Sequence, residues 1–219
     1  MANLIRCLYK TEPMRNLLIK TISLIMVAFV SLSYAMASSP EDVAKDGVKS
    51  VKEYVAKLGR YHVKFNVLAG DLIYVGEYGV EGDSYYIQMD NVEVYSDGKL
   101  RYEVDNKRKE VSIDMVDLQS RNILDNPTRC FDFAESEYEV ELQSDRGEEL
   151  MLYLQPIAED MDGEIFLTID KKSGRPKKIV YRLYDDEVEV AIDSIAASKS
   201  PIKRYNKNHY MGYDIIDFR

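Results

Sequence analysis

Beyond residue 37 the chain holds two histidines, His62 and His209, and one cysteine, Cys130. A histidine could serve a Ser-His-Asp arrangement as general base, yet neither sits in a motif, and no G-x-S-x-G stretch exists to present a nucleophile. Metal binding has no better foundation, because C-x-x-C and H-x-x-x-H spacings are both absent. Carboxylates are plentiful, but Glu137, Glu139 and Glu141, like Glu187 and Glu189, fall on alternate positions of apolar-patterned stretches, which is how a solvated sheet face reads. Cys130, with Phe131 and Phe133 beside it, reads as a small buried hydrophobe, and once Cys7 leaves with residues 1–37 no internal disulfide can form. The chain is therefore expected to be no enzyme and to need no cofactor or metal.

What the sequence supplies instead is bulky apolar side chains at inward-reading positions. Tyr85, Met89, Tyr102, Met115 and Tyr181 mix there with Leu, Ile and Val. Two elements must position them. Ser39, Pro40, Glu41 and Asp42 form a helix start, with a hydroxyl cap, proline at the first position and acids near the positive end of the dipole. The helix should run from Pro40 to about Leu58, with Val43, Gly47, Val51, Val55 and Leu58 on one stripe.

From Arg60 the period changes to two. Strands are expected around 63–67, 72–78, 85–89, 92–95, 100–104 and 111–115, with Asp97-Gly98 as a hairpin turn. Residues 118–135 interrupt the series, and Asp125-Asn126-Pro127-Thr128 signals a short helix or lid-like segment. Strands resume at 138–142, 150–154, 165–169, 179–183 and 188–192, separated by turns such as Asp160-Met161-Asp162-Gly163 and Lys172-Ser173-Gly174-Arg175-Pro176. The fold class is α+β, mainly antiparallel: an unclosed barrel or strongly curved sheet with an N-terminal helix and a short internal helix. The alternation aims Ile87, Met89, Leu100, Tyr102, Val104, Ile113, Met115, Leu152, Leu154, Leu167 and Tyr181 at the concave side, beneath the helix face Val43, Val51, Val55 and Leu58. These residues are the candidate lining of an apolar cavity. Composition does not choose between such a cavity and a core filled by its own side chains.

The first residues have a different character. After Arg15 and Lys20, Thr21 to Pro40 carries no charge, an apolar run spans Leu24 to Val30, and Ala35-Met36-Ala37 has the small-x-small form of a cleavage site. Residues 1–37 therefore read as a signal peptide, with Met14 the natural start, and 38–219 as a single exported domain of the periplasm. The whole chain has a net charge of −9, and residues 1–37 contribute +3 through Arg6, Lys10, Arg15, Lys20 and Glu12, which leaves −12. Nucleic acid is not an expected partner, since a phosphate surface needs clustered Lys and Arg. A monomer is expected.

Three stretches resemble the LolA-like family of periplasmic lipoprotein carriers. Gly82 to Asp114 contains a D-G-K turn before an aromatic strand and a later E-V strand, Asn126-Pro127 stands where the family has an Asn-Pro, and Ile165 to Tyr181 contains paired strands around G-R-P-K-K. The ending Tyr213-Asp214-Ile215-Ile216-Asp217-Phe218-Arg219 is similar to that of Bacteroidetes-type members. The strand after the D-G-K turn departs from the family, with Leu100-Arg101-Tyr102 where members carry tryptophan. The resemblance implies a carrier that holds the acyl chains of a lipoprotein, or another lipid, between sheet and helices. It also implies an inner-membrane ABC exporter that loads it and an outer-membrane acceptor that unloads it. A sensor or interaction module with the same fold, bound to a membrane-protein partner, is the alternative.

Overall fold

The computed structural model describes residues 38–158 and 163–219. The signal-peptide expectation falls on residues 1–37, and most of the Asp160–Gly163 turn on 159–162, both outside the described residues. Helix α1 spans Pro40–Leu58, with Glu41 and Asp42 in its first turn and Lys57 in its last, as the helix dipole favours. Its buried residues are Ala44, Gly47, Val48, Val51 and Val55. The expected stripe is thus rotated slightly: Val43 and Leu58 lie half-buried at its margins, and Ala44 and Val48 lie at its centre. The helix settles where it can come closest to the sheet. At Gly47 an added Cβ would stand 2.9 Å from Leu152 Cδ1, so glycine lets the backbone approach.

The strands are β1 (Tyr61–Ala69), β2 (Leu72–Glu81), β3 (Ser84–Met89), β4 (Val92–Ser96), β5 (Leu100–Asp105) and β6 (Glu110–Met115). After the four-residue helix α2 (Ala134–Glu137) come β7 (Tyr138–Arg146), β8 (Glu149–Pro156), β9 (Glu164–Asp170), β10 (Pro176–Leu183), β11 (Asp186–Ala197) and β12 (Asp214–Asp217). All twelve form one curved, unclosed sheet in the order β12-β6-β5-β4-β3-β2-β1-β11-β10-β9-β8-β7. Neighbours pair antiparallel except β12, which pairs parallel with β6. The fold class read from the alternation is the one observed, and β12 is the strand it did not announce. Its four residues, Asp-Ile-Ile-Asp, are all exposed and carry no alternation.

β1 joins the two halves of the sheet, pairing with β2 on one side and β11 on the other. Val63, Phe65 and Val67 on β1 face the side that carries α1, here the inner face, together with Leu152, Leu154, Leu167, Ile169, Ile179 and Val190. Val48, Val51 and Val55 of α1 complete this core, and each contributes roughly 1.5–3 kcal/mol by leaving water. Among the described residues no helix is long and apolar enough to cross a membrane.

Candidate functional site

The inner face is apolar because β1, β3 and β7–β11 present one parity of hydrophobic residues to it. Among the described residues no second sheet covers it. Helix α1 and the turn-rich segment 117–137 do, and the segment inserts Ile123, Phe131, Phe133 and Ala134, all nearly or fully buried. Three sheet tyrosines hold the segment by its backbone. Tyr85 donates its hydroxyl to the Asp125 carbonyl at 2.8 Å, Tyr61 donates to the Pro127 carbonyl at 3.4 Å, and Tyr181 accepts the Ile123 N–H at 2.9 Å. Buried Asn126 closes the turn from within, its Oδ1 accepting the Thr128 hydroxyl at 2.6 Å and its Nδ2 donating to the Asp117 carbonyl at 3.1 Å.

The segment's far end is latched by charge. Arg121 and Arg129 both pair with Glu137, the second at 3.2 Å, and Arg129 also pairs with Asp132 at 2.9 Å. Partial burial raises the Glu137 carboxyl, but hydrogen bonds from the two arginines outweigh it and hold the group below its ordinary value. Between these anchors, Cys130 and Phe131 adopt left-handed backbone, with φ of 35° and 64°. Side chains rarely occupy that region, so the bend that drives Phe131 into the core stores strain. Cys130 is half-buried, and desolvation pushes its thiol up to about 12, which disfavours the thiolate at neutral pH.

Beside this cover lies an open groove of about 950 Å³, between the first turns of α1 and β7. Pro40, Lys45 and Lys49 form its helix wall, and Tyr138, Val140 and Leu142 its floor, with Glu139 and Glu141 at the rim. Val140 and Leu142 are only half-buried and pack against the inner core, so the groove floor is continuous with the apolar face. The volume lies within the range of small-molecule sites. Among the described residues no cluster of His, Cys, Asp or Glu is arranged to hold a metal.

No family model matches the chain, and no curated protein matches it in sequence. Solved structures do match. An uncharacterized conserved protein from Thermus thermophilus overlaps 80% of this chain and 98% of its own at 8% identity, with a TM-score of 0.55. LprF from Mycobacterium bovis overlaps 77% of this chain and 99% of its own at 12% identity, with a TM-score of 0.40. A LolA superfamily protein from Nitrosomonas europaea overlaps 72% and 94% at 10% identity, with a TM-score of 0.38. The Thermus protein shares the fold. Identities this low speak to fold alone.

The predicted lining residues divide between two faces. Ile87, Met89, Leu152, Leu154, Leu167 and Tyr181 belong to the inner cluster, where Leu152, Leu154 and Leu167 are wholly enclosed by protein. Leu100, Tyr102, Val104, Ile113 and Met115 do not share that face, which corrects their placement on the concave side. Ile87 pairs with Val94 and Val94 with Glu103, so the inner parity of β5 carries Arg101 and Glu103, an ion pair at 2.7 Å. The apolar parity crosses to the outer face at β4, where neighbouring Val94 and Tyr95 are both buried, one on each side. Met115, at the end of β6, is largely exposed.

Outer-face burial comes from a partner the alternation could not supply: the chain's own C-terminal segment, which folds back over β3–β6. Tyr205 stacks on Tyr102 at 4.1 Å between ring centroids, and Tyr210 stacks on Tyr205 at 5.7 Å. Tyr86, Tyr95, Val104 and Val111 form the core beneath. Glu93 ties the layers together, accepting from Tyr86 and Tyr210 at 3.0 Å each and from Asn106 at 3.2 Å. The only sequence signal for this layer was the cluster Tyr205, Tyr210 and Tyr213.

Burial raises the Glu93 carboxyl, but the hydrogen bonds from Asn106, Tyr86, Tyr210 and Tyr95 overcome this and leave it lowered. A carboxyl lowered on folding adds stability above its unfolded value, about 4.3, and loses it as pH falls through the folded value. The C-terminal layer is thus expected to loosen below about pH 4.3, and Glu93→Gln to remove most of that dependence. Proton NMR of the stacked tyrosines against pH checks this, and equal pH profiles for the two proteins would refute it.

Proposed function

We propose that the chain is a non-catalytic periplasmic carrier that shelters an acyl chain, or a similarly apolar ligand, against the inner face of its sheet. One observation carries the reading. Among the described residues the inner face is covered by α1 and a strained, aromatic-bearing segment, and beside that cover an open groove leads onto the same apolar surface. In this reading Phe131 and Phe133 stand where a ligand chain would lie, and cargo entering past Val140 and Leu142 displaces them. The resemblance of the Gly82–Asp114 and Ile165–Tyr181 stretches to LolA-like carriers supports a lipoprotein as cargo. It likewise supports an inner-membrane ABC exporter as donor and an outer-membrane acceptor as recipient. The exported location rests on residues 1–37.

A titration with fatty acids of increasing length tests the proposal. Each methylene entering the site should contribute up to about 0.8 kcal/mol, or up to about fourfold in affinity, until the space is full. Leu142→Lys and Val140→Lys at the groove floor should weaken binding at least tenfold, whereas Glu189→Lys, away from the groove, should leave it unchanged. A second reading, an interaction module for a membrane-protein partner, is favoured by the complete enclosure of Leu152, Leu154 and Leu167 in the free protein. Absence of binding at every chain length would select it.

A further inference from the structure

We propose that the tips of the β1–β2 and β10–β11 hairpins form a surface that docks on a zwitterionic lipid bilayer, seating side chains at the level of the headgroups. Leu72, Ile73 and Val75 on β2 are 59%, 72% and 68% exposed, and Leu68 on β1 is 42% exposed. Pairing of β2 with β3 begins only at Gly76, so Leu72–Val75 projects past β3 by about 13 Å at 3.3 Å per residue, as the edge of a projecting corner in which β1 pairs with β2 on one side and β11 on the other. The β10–β11 tip stands beside it, because Ala69 pairs with Val188 and the turn beyond Leu183 reaches further still. Leu183 and Tyr184 there are 46% and 80% exposed. Exposed apolar residues at this density mark a surface that something covers.

The distribution of apolar groups over the two faces of this corner identifies the cover. Leu72 shares the inner parity with Ala69, whereas Leu68 and Ile73 pair with each other on the outer parity, where Val75 also lies. Apolar groups thus emerge on both faces of a projecting tip. A flat protein partner can cover only one face, whereas a bilayer interface surrounds the tip on all sides. The depth is limited, since the outer edge of Leu72–Val75 has no strand partner among the described residues and its backbone groups must stay within reach of water or headgroups. Charge selects the lipid. Exposed Asp71, Asp185 and Asp186 ring the tips, and they would be repelled by an anionic surface. This surface is independent of whether the inner face takes an acyl chain, and its test needs no such ligand.

The test is co-flotation of the exported, processed protein with phosphatidylcholine vesicles. The wild type should float with the vesicles, and Ile73→Asp combined with Val75→Asp should reduce partitioning at least tenfold without lowering Tm, since both side chains are exposed. Met211→Asp, an equally exposed apolar site elsewhere, should partition like wild type. The chain contains no tryptophan, so Ile73→Trp supplies a single reporter whose emission should shift to the blue and be quenched by brominated lipid. Four results would overturn the proposal: no flotation of the wild type, flotation only on anionic vesicles, equal flotation of the aspartate variant, or a self-associated form that this variant disperses without any lipid binding.

Discussion

Replacing Val51 by aspartate is expected to destabilise the domain by about 3–5 kcal/mol, enough to lower Tm by roughly 10–15 °C. Val51 is wholly enclosed within the α1–sheet core. An aspartate there gives up the valine's apolar burial and must either leave an ionised carboxylate without water or take up a proton. Protonation sets the pH signature. The buried carboxyl is raised above its unfolded value, so its penalty is smallest where the unfolded state is also protonated and grows as pH rises through the unfolded value. The deficit against wild type should therefore be smaller at pH 4 than at pH 8. Thermal melts at the two pH values measure this, and a variant melting with wild type at both would remove α1 from the core.

Gly174→Ala is expected to cost about 2–5 kcal/mol, from two sources that a control can separate. Gly174 holds a φ of +74°, which costs an L side chain about 1–2 kcal/mol by itself. An added Cβ would also run into the Ser50 carbonyl oxygen in the middle of α1. Backbone cannot rotate aside as a side chain can, so either α1 or the 171–175 turn must shift. The turn is itself held, with Gly174 N–H donating to the Asp170 carbonyl at 2.9 Å. Gly147, with φ of +60° and nothing within 4 Å of an added Cβ, isolates the conformational cost. Gly147→Ala should thus lose only about 1–2 kcal/mol in denaturant melts. Equal losses at the two positions would mean that the turn does not bear on the helix.

Much of the architecture was legible in residue order. Ser39-Pro40-Glu41-Asp42 announced the start of α1, and the change to a two-residue period after Arg60 announced β1 to β11, because burial on one face of a strand leaves that signature in local sequence. Alternation, however, has no sign. It groups Leu100, Tyr102 and Val104 together without saying which face they take, and a one-residue change in parity exchanges the faces.

The faces were decided by what arrives to cover them. Over β7–β11 the cover is α1 with Phe131 and Phe133, and over β3–β6 it is Tyr205 and Tyr210, far away in sequence. The same holds for the groove. Val140 and Leu142 look like any inward pair on a strand, and only the position of α1 against the last strand of the sheet leaves them half-open. The sequence by itself therefore determined the elements, their order and their alternation. Tertiary structure alone decided which apolar rows became core and which stayed at a mouth or a tip, because burial depends on partners whose distance along the chain no local pattern records.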